Sequence, residues 1–134
     1  MRKIQLLAFL LLMISTSISG QCRLEIDITE LKNNKGHILL QLFDENEKII
    51  NQVKSEIKEN RVVIVFKDLN PGKYAFRYFH DENLSMKMET NKLGIPKEGY
   101  GFSNNGAGPF GPKPFKEWLF EIREDKKVLS KPKY

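Results

Sequence analysis

Residues 61–80 read RVVIVFKDLNPGKYAFRYFH, and this stretch decides the fold. Arg61–Lys67 is β-branched and apolar on both faces, the pattern of a central strand. It runs into Asp68-Leu69-Asn70-Pro71-Gly72. Proline holds φ at about −65° and glycine accepts the positive φ that follows, so Pro71-Gly72 fits the centre of a type II turn. The next segment alternates, with Tyr74, Phe76, Tyr78 and His80 on one face and Ala75, Arg77 and Phe79 on the other.

Strand patterns continue on both sides. Leu24–Thr29 sets Leu24, Ile26 and Ile28 against Glu25 and Asp27, as a half-buried strand does. A polar turn, Lys32–Gly36, leads into Gly36–Asp44, where Ile38, Leu40 and Leu42 oppose His37, Leu39, Gln41 and Phe43. These two segments are expected to pair as a hairpin. In Asp44–Asn60 the spacing of Ile49, Ile50, Val53 and Ile57 is roughly helical, but flanking strands favour a loop and an edge strand. Glu117–Arg123 alternates again, with Trp118, Phe120 and Ile122 inward, and Lys127–Leu129 suits a short final strand. The Leu-Asn-Pro-Gly-Lys-Tyr corner at 69–74 resembles those of immunoglobulin-like and prealbumin-like sandwiches in exported bacterial proteins, where the leucine and the tyrosine pack inside. The expectation is an all-β, immunoglobulin-like or prealbumin-like β-sandwich of about seven strands with one long ordered loop.

The first residues have the layout of a secretory leader. Arg2 and Lys3 precede the apolar run Leu6–Ile14, followed by Ser15, Thr16, Ser17, Ser19 and Gly20. The run falls short of the roughly 20 residues that span a bilayer. The expected division is a signal peptide over 1–20 and a single β-sandwich domain over 21–134, exported to the periplasm or beyond, with no transmembrane segment after cleavage. Gln21 in front of Cys22 argues against lipid anchoring there, and a lone cysteine excludes an internal disulfide. Losing Arg2 and Lys3 takes two charges from the formal +5 and leaves +3, with both signs interspersed. That balance suits solubility and gives no sign of nucleic-acid binding.

The unusual segment is Leu93–Asn105, LGIPKEGYGFSNN. It has no period of two or of 3.6, and its turn residues and aromatics mark an ordered loop rather than a linker. Together with Phe66–Ala75 (FKDLNPGKYA) and Phe79–Asn83 (FHDEN), this block resembles an uncharacterised family of exported bacterial proteins, domain of unknown function 2141. The resemblance covers nearly all of the mature chain. It implies a β-sandwich behind a signal peptide and no activity. Members of that family typically carry an Asp-x-Asn-x-Asn-Gly-x-x-Asp run that looks like a calcium loop. Here Asp81, Asn83, Ser85 and Glu89 keep oxygens at those spacings. Met86 replaces the glycine, and Lys92 stands where an acid would close the loop, so calcium is a weakened candidate cofactor.

Tyr100, Phe102, Asn104, Asn105 and His80 are the candidate binding residues. Aromatic faces there, with Phe110 and Phe115, can grip a sugar or a peptide of the cell envelope, or fold back to plug the end of the sandwich. The favoured function is a non-enzymatic binding or accessory domain using the 81–89 turn and the 93–105 loop. A purely structural envelope protein and a hydrolase of envelope polymers are the alternatives. A Ser103, His80 and Asp81 grouping, or an Asp81 and Glu89 pair, is all that speaks for hydrolysis. Nothing resembles a nucleophile elbow or zinc-ligand spacing, so no catalytic residue is assigned.

Overall fold

The structure is a computed structural model that describes residues 20–134, so the leader assigned to 1–20 lies outside the described residues but for Gly20. The strands are β1 (Cys22–Ile28), β2 (His37–Asp44), β3 (Ile49–Glu56), β4 (Val62–Leu69), β5 (Gly72–Asp81), β6 (Tyr100–Phe102), β7 (Ala107–Gly108), β8 (Gly111–Pro112), β9 (Phe120–Ile122) and β10 (Lys126–Ser130). One sheet has the order β10-β1-β4, with β10 parallel and β4 antiparallel to β1. The other has the order β3-β2-β5-β6, and β9 also pairs with β5. β7 and β8 form a separate hairpin. The fold is all-β, as the alternation implied. Among the described residues no helix is long and apolar enough to cross a membrane.

The alternating apolar residues meet between the sheets. Leu24, Ile26 and Ile28 of β1 and Val62, Ile64 and Phe66 of β4 face Ile38, Leu40 and Leu42 of β2 and Tyr74, Phe76 and Tyr78 of β5, all buried. Each such side chain contributes about 1.5–3 kcal/mol on burial. Cys22 joins this core as a free, buried thiol. Tyr78 also reaches across the sandwich, its hydroxyl 2.8 Å from Ser130 Oγ on β10.

Three expectations are corrected. β1 and β2 do not form a hairpin, because the chain crosses between the sheets from Thr29 to Gly36. Leu31 is buried on that crossing, and the polar turn after it would have served either connection. The run at 61–67 forms an edge strand, not a central one: Val63 and Val65 face solvent at 42% and 36% exposure, and β1 is the middle strand. Trp118 does not point into the sandwich from a strand. It caps the 3-10 turn Phe115–Glu117 and packs with Phe43 and Ala75 in a second cluster on the outer face of the larger sheet. The charged stretch 44–60 does contain an edge strand, β3.

Two polar devices hold the corners. Asp27, on the outward face of β1, is only 3% exposed. Arg61 clamps it through both carboxylate oxygens at 2.7 Å. Those bonds hold its carboxyl below the usual range. At the 69–74 corner Tyr74 is buried and its hydroxyl donates to Asn70 O at 2.6 Å, while Leu69 packs against the core half-buried. Tyr74→Phe removes that one bond and keeps the ring. Urea unfolding should show a loss of about 1 kcal/mol with an unchanged slope.

Candidate functional site

The larger sheet is built around a shared edge. On that edge of β5, Arg77–Phe79 pair with β6 and Gly72–Tyr74 pair with β9. Between them the Phe76 amide has no strand partner and donates to Ser103 Oγ at 2.9 Å. The same hydroxyl donates to Trp118 O at 2.8 Å. Ser103 is 1% exposed, so one buried side chain splices two strand pairings. Asn104 and Asn105 follow in the left-handed region at φ 54° and 55°, which asparagine tolerates better than most residues. Asn104 Nδ2 donates to Glu117 O and Leu119 O at 3.0 and 3.2 Å.

Part of the expected loop is therefore strand. Gly101 pairs with Tyr78 in β6 and has to be glycine, because a Cβ there would run into the Tyr78 ring, and Gly106 likewise leaves room for Trp118. Phe102 packs on Trp118 with ring centroids 4.5 Å apart, and Phe115 meets the same indole at 5.3 Å. These rings fold back. Tyr100 is half-buried against Phe102, and Phe110 stands fully exposed on the β7–β8 hairpin.

Register puts two ladders on the outer face of this sheet. One runs Lys54–Leu39–Phe79–Tyr100 and the other Gln52–Gln41–Arg77–Phe102. They floor a groove of about 1000 Å³. One wall is an arm spanning residues 86–96, with Met88 and Ile95 along it and Leu93 84% exposed at its tip. The other is the hairpin that carries Phe110. The lining includes three basic side chains, Lys54, Arg77 and Lys133, and no aspartate or glutamate. Arg77 is held in place, with Nε donating to Gln41 Oε1 at 2.8 Å and the guanidinium over the Phe43 ring.

An acidic corner lies outside the groove, one step along β5 from the Leu39–Phe79–Tyr100 ladder. Asp81 is fully buried at the end of β5. Its Oδ1 accepts from Ser85 N and Ser85 Oγ at 3.0 and 3.3 Å, and its Oδ2 from Met86 N at 2.8 Å. Asn83 Nδ2 donates to Glu89 Oε1 at 2.6 Å. The turn brings the four proposed oxygen-bearing residues into one hydrogen-bonded group. Met86, in the glycine position, takes φ 63°, so the bend survives the substitution. Sequence reasoning missed Glu98. It is 5% exposed, and its Oε2 has no hydrogen-bond partner. Burial, with the charges of Asp81, Glu89 and Glu82, pushes its pKa up to about 7. On the other side of Asp81, at the paired position on β2, His37 has a buried, unpartnered Nδ1.

His80, a candidate binding residue, is a strand-end residue bonded to the loop through its amide, which donates to Gly99 O at 2.7 Å. It is fully buried on the inward face of β5. Its Nε2 lies 2.6 Å from Lys35 O, which only accepts, so Nε2 carries the proton. Nδ1 then accepts from the Tyr134 hydroxyl at 2.8 Å, and that oxygen accepts from Lys32 N at 2.9 Å. Both ring nitrogens are engaged. Ser103 is spent on the strand splice, 27 residues along the chain from its Phe76 partner. The imagined Ser103, His80 and Asp81 grouping thus has its serine and histidine committed to structure.

The family model described as an uncharacterized protein conserved in bacteria, DUF2141, matches residues 26–130. The chain belongs to that family. No curated protein matches it.

Ser103→Ala strands a buried N–H and a buried carbonyl together, so denaturant unfolding should show a loss of roughly 3 kcal/mol. Asn104→Ala, at an exposed side chain, should cost about 1 kcal/mol. Equal, small losses from the two would contradict the splice.

Proposed function

We propose that this protein is an exported, non-enzymatic binding domain whose ligand lies across the outer face of the larger sheet. The groove floored by Leu39, Phe79 and Tyr100 carries the reading. An exposed sheet face is normally polar, and a solvated apolar strip flanked by two projecting walls is a common form of binding surface. Its volume lies at the upper end of the usual range for ligand sites. The leader pattern of Arg2, Lys3 and Leu6–Ile14 supports export to the periplasm or beyond.

Of the two envelope ligands that the aromatics suggest, an extended peptide with apolar and acidic residues fits better than a neutral glycan. Apolar side chains would fill the strip over Phe79 and between Ile95 and Phe110. Carboxylates would meet Lys54, Arg77 and Lys133, which no acidic side chain in the groove neutralises. A glycan calls for many fixed donors and acceptors, and here Arg77 and Gln41 are already bonded to each other. The structural alternative accounts for Phe102 and Phe115 but gives Leu93 and Phe110 nothing to do. The hydrolase alternative has the least support, because His80 has no free ring nitrogen.

The anionic, apolar dye 8-anilinonaphthalene-1-sulfonate probes this chemistry directly. Saturable fluorescence is expected with the folded protein, displaced by acidic-apolar decapeptides and not by neutral oligosaccharides. Phe79→Ala and Tyr100→Ala should each abolish it while the melt stays cooperative. A signal that survives both substitutions, or no saturable signal, contradicts the reading.

A further inference from the structure

Beyond the groove the sheet carries a second feature that the binding reading does not use. β6 pairs with β5 so that Phe79 faces Tyr100, and His80 N extends the ladder by donating to Gly99 O at 2.7 Å. One rung further, that register sets Glu98 beside Asp81 on the outer face, where Phe79 and Tyr100 also stand. Both are at least nine-tenths buried. Two carboxyl groups in neighbouring outward positions, with no basic side chain bonded to either, repel each other in a site that water barely reaches. Glu89 and Glu82 add to the negative charge around Glu98. A surface acidic turn would let such a group extend into solvent. Here the Glu98 side chain is covered and its Oε2 is left with no donor.

We propose that Asp81, Glu89 and Glu98, helped by the neutral oxygens of Asn83 and Ser85, form a binding site for a calcium-like divalent cation. The donors are all hard oxygens, the set that calcium takes. Asp81 has capacity left, since a carboxylate offers about four lone-pair sites and three protein donors occupy it. Glu98 supplies the charge that Lys92 denies to the turn itself. Among the described residues no three His, Cys, Asp or Glu side chains already stand in metal-binding geometry. An ion therefore has to draw Glu89 and Glu98 toward Asp81.

That movement has a structural consequence. Glu89 and Glu98 flank the two feet of the arm, which are joined by the Lys97 N to Glu89 O bond at 2.8 Å and the Thr90–Pro96 bridge. The cation ties both feet to the end of β5, so it sets the position of the wall that carries Met88 and Ile95. The site itself stands whether or not the groove takes a ligand; only this coupling rests on the groove reading.

Thermal melts of the protein with no peptide present, in millimolar calcium and then in chelator, test the site. Calcium should raise the midpoint by about 5 °C or more. It should also slow amide exchange at Asn91–Ile95. Glu98→Gln and Glu89→Gln should each abolish the calcium shift. In chelator Glu98→Gln should melt no lower than the parent, because it removes a buried charge conflict, and this shows that the variant folds. No calcium shift in the parent, or a shift that both variants retain, overturns the proposal. A response to zinc and not to calcium places the ion at His37 instead and overturns it as well.

Discussion

The outer face of this protein depends on one buried hydroxyl. A strand edge normally has a single neighbour, but β5 has β6 against one part and β9 against another, with Phe76 left between them. A buried amide without a partner is costly, and the Ser103 carbonyl, opposite Phe76 in that register, is turned away to accept from Gly106 N. Ser103 Oγ accepts from the Phe76 amide and donates its own hydrogen bond to Trp118 O. The polypeptide between the two short strands can then leave the sheet, form the β7–β8 hairpin and return. Trp118 is fixed where Phe43, Phe102 and Phe115 can close on it. That second cluster is the floor from which the Phe110 hairpin projects.

The two walls of the groove are held by different physics. The hairpin side stands on packed aromatic rings, whose burial offsets the entropy of ordering it. The arm has little apolar burial, and its order comes from side-chain caps. Asn91 Oδ1 accepts from Leu93 N and Ile95 N at 2.8 and 3.0 Å, and Asp81 does the same for the turn below. Leu84 and Met86 hold left-handed conformations at φ 57° and 63° that most side chains avoid. An arm ordered by polar caps over a strained turn belongs to the low-stability end of a fold. It is also the part with charge concentrated at its feet.

Much of this fold was legible from alternation alone. Each residue from Tyr74 to His80 faces the side its parity implies, because β2 pairs with β5 through all of that stretch and keeps the pleat regular. Pairing partners were less legible. The turn at 32–36 reads the same for a hairpin as for a crossing between sheets, and the number of neighbours of β4 is a property of the other strands. The stretch 93–105 read as one loop because Gly99 and Gly101 have no β propensity. Tertiary packing supplies it, with the Tyr78 ring lying against Gly101. Within the site, the paired asparagines were visible as unusual, and their left-handed backbone explains them without a ligand. Glu98 was invisible, since Pro96-Lys97-Glu98-Gly99 reads as an exposed turn and its burial is a product of tertiary structure. The groove floor was half visible: Phe79 already stood as a large aromatic beside Arg77 on the outward face.

The central claim is that residues 99–118 form a rigid platform, not a mobile loop draped over a sandwich. Native-state amide exchange, residue by residue, tests it most directly. The account predicts that the amides of Phe76, Gly101 and Trp118 exchange only through global unfolding, as slowly as Leu40 and Leu42 in β2, while Leu93 and Ile95 on the arm exchange much faster. If Gly101 and Trp118 exchange at the rate of the arm while β2 stays protected, the platform is not part of the folded core. The groove would then have no fixed floor, and the account would be wrong.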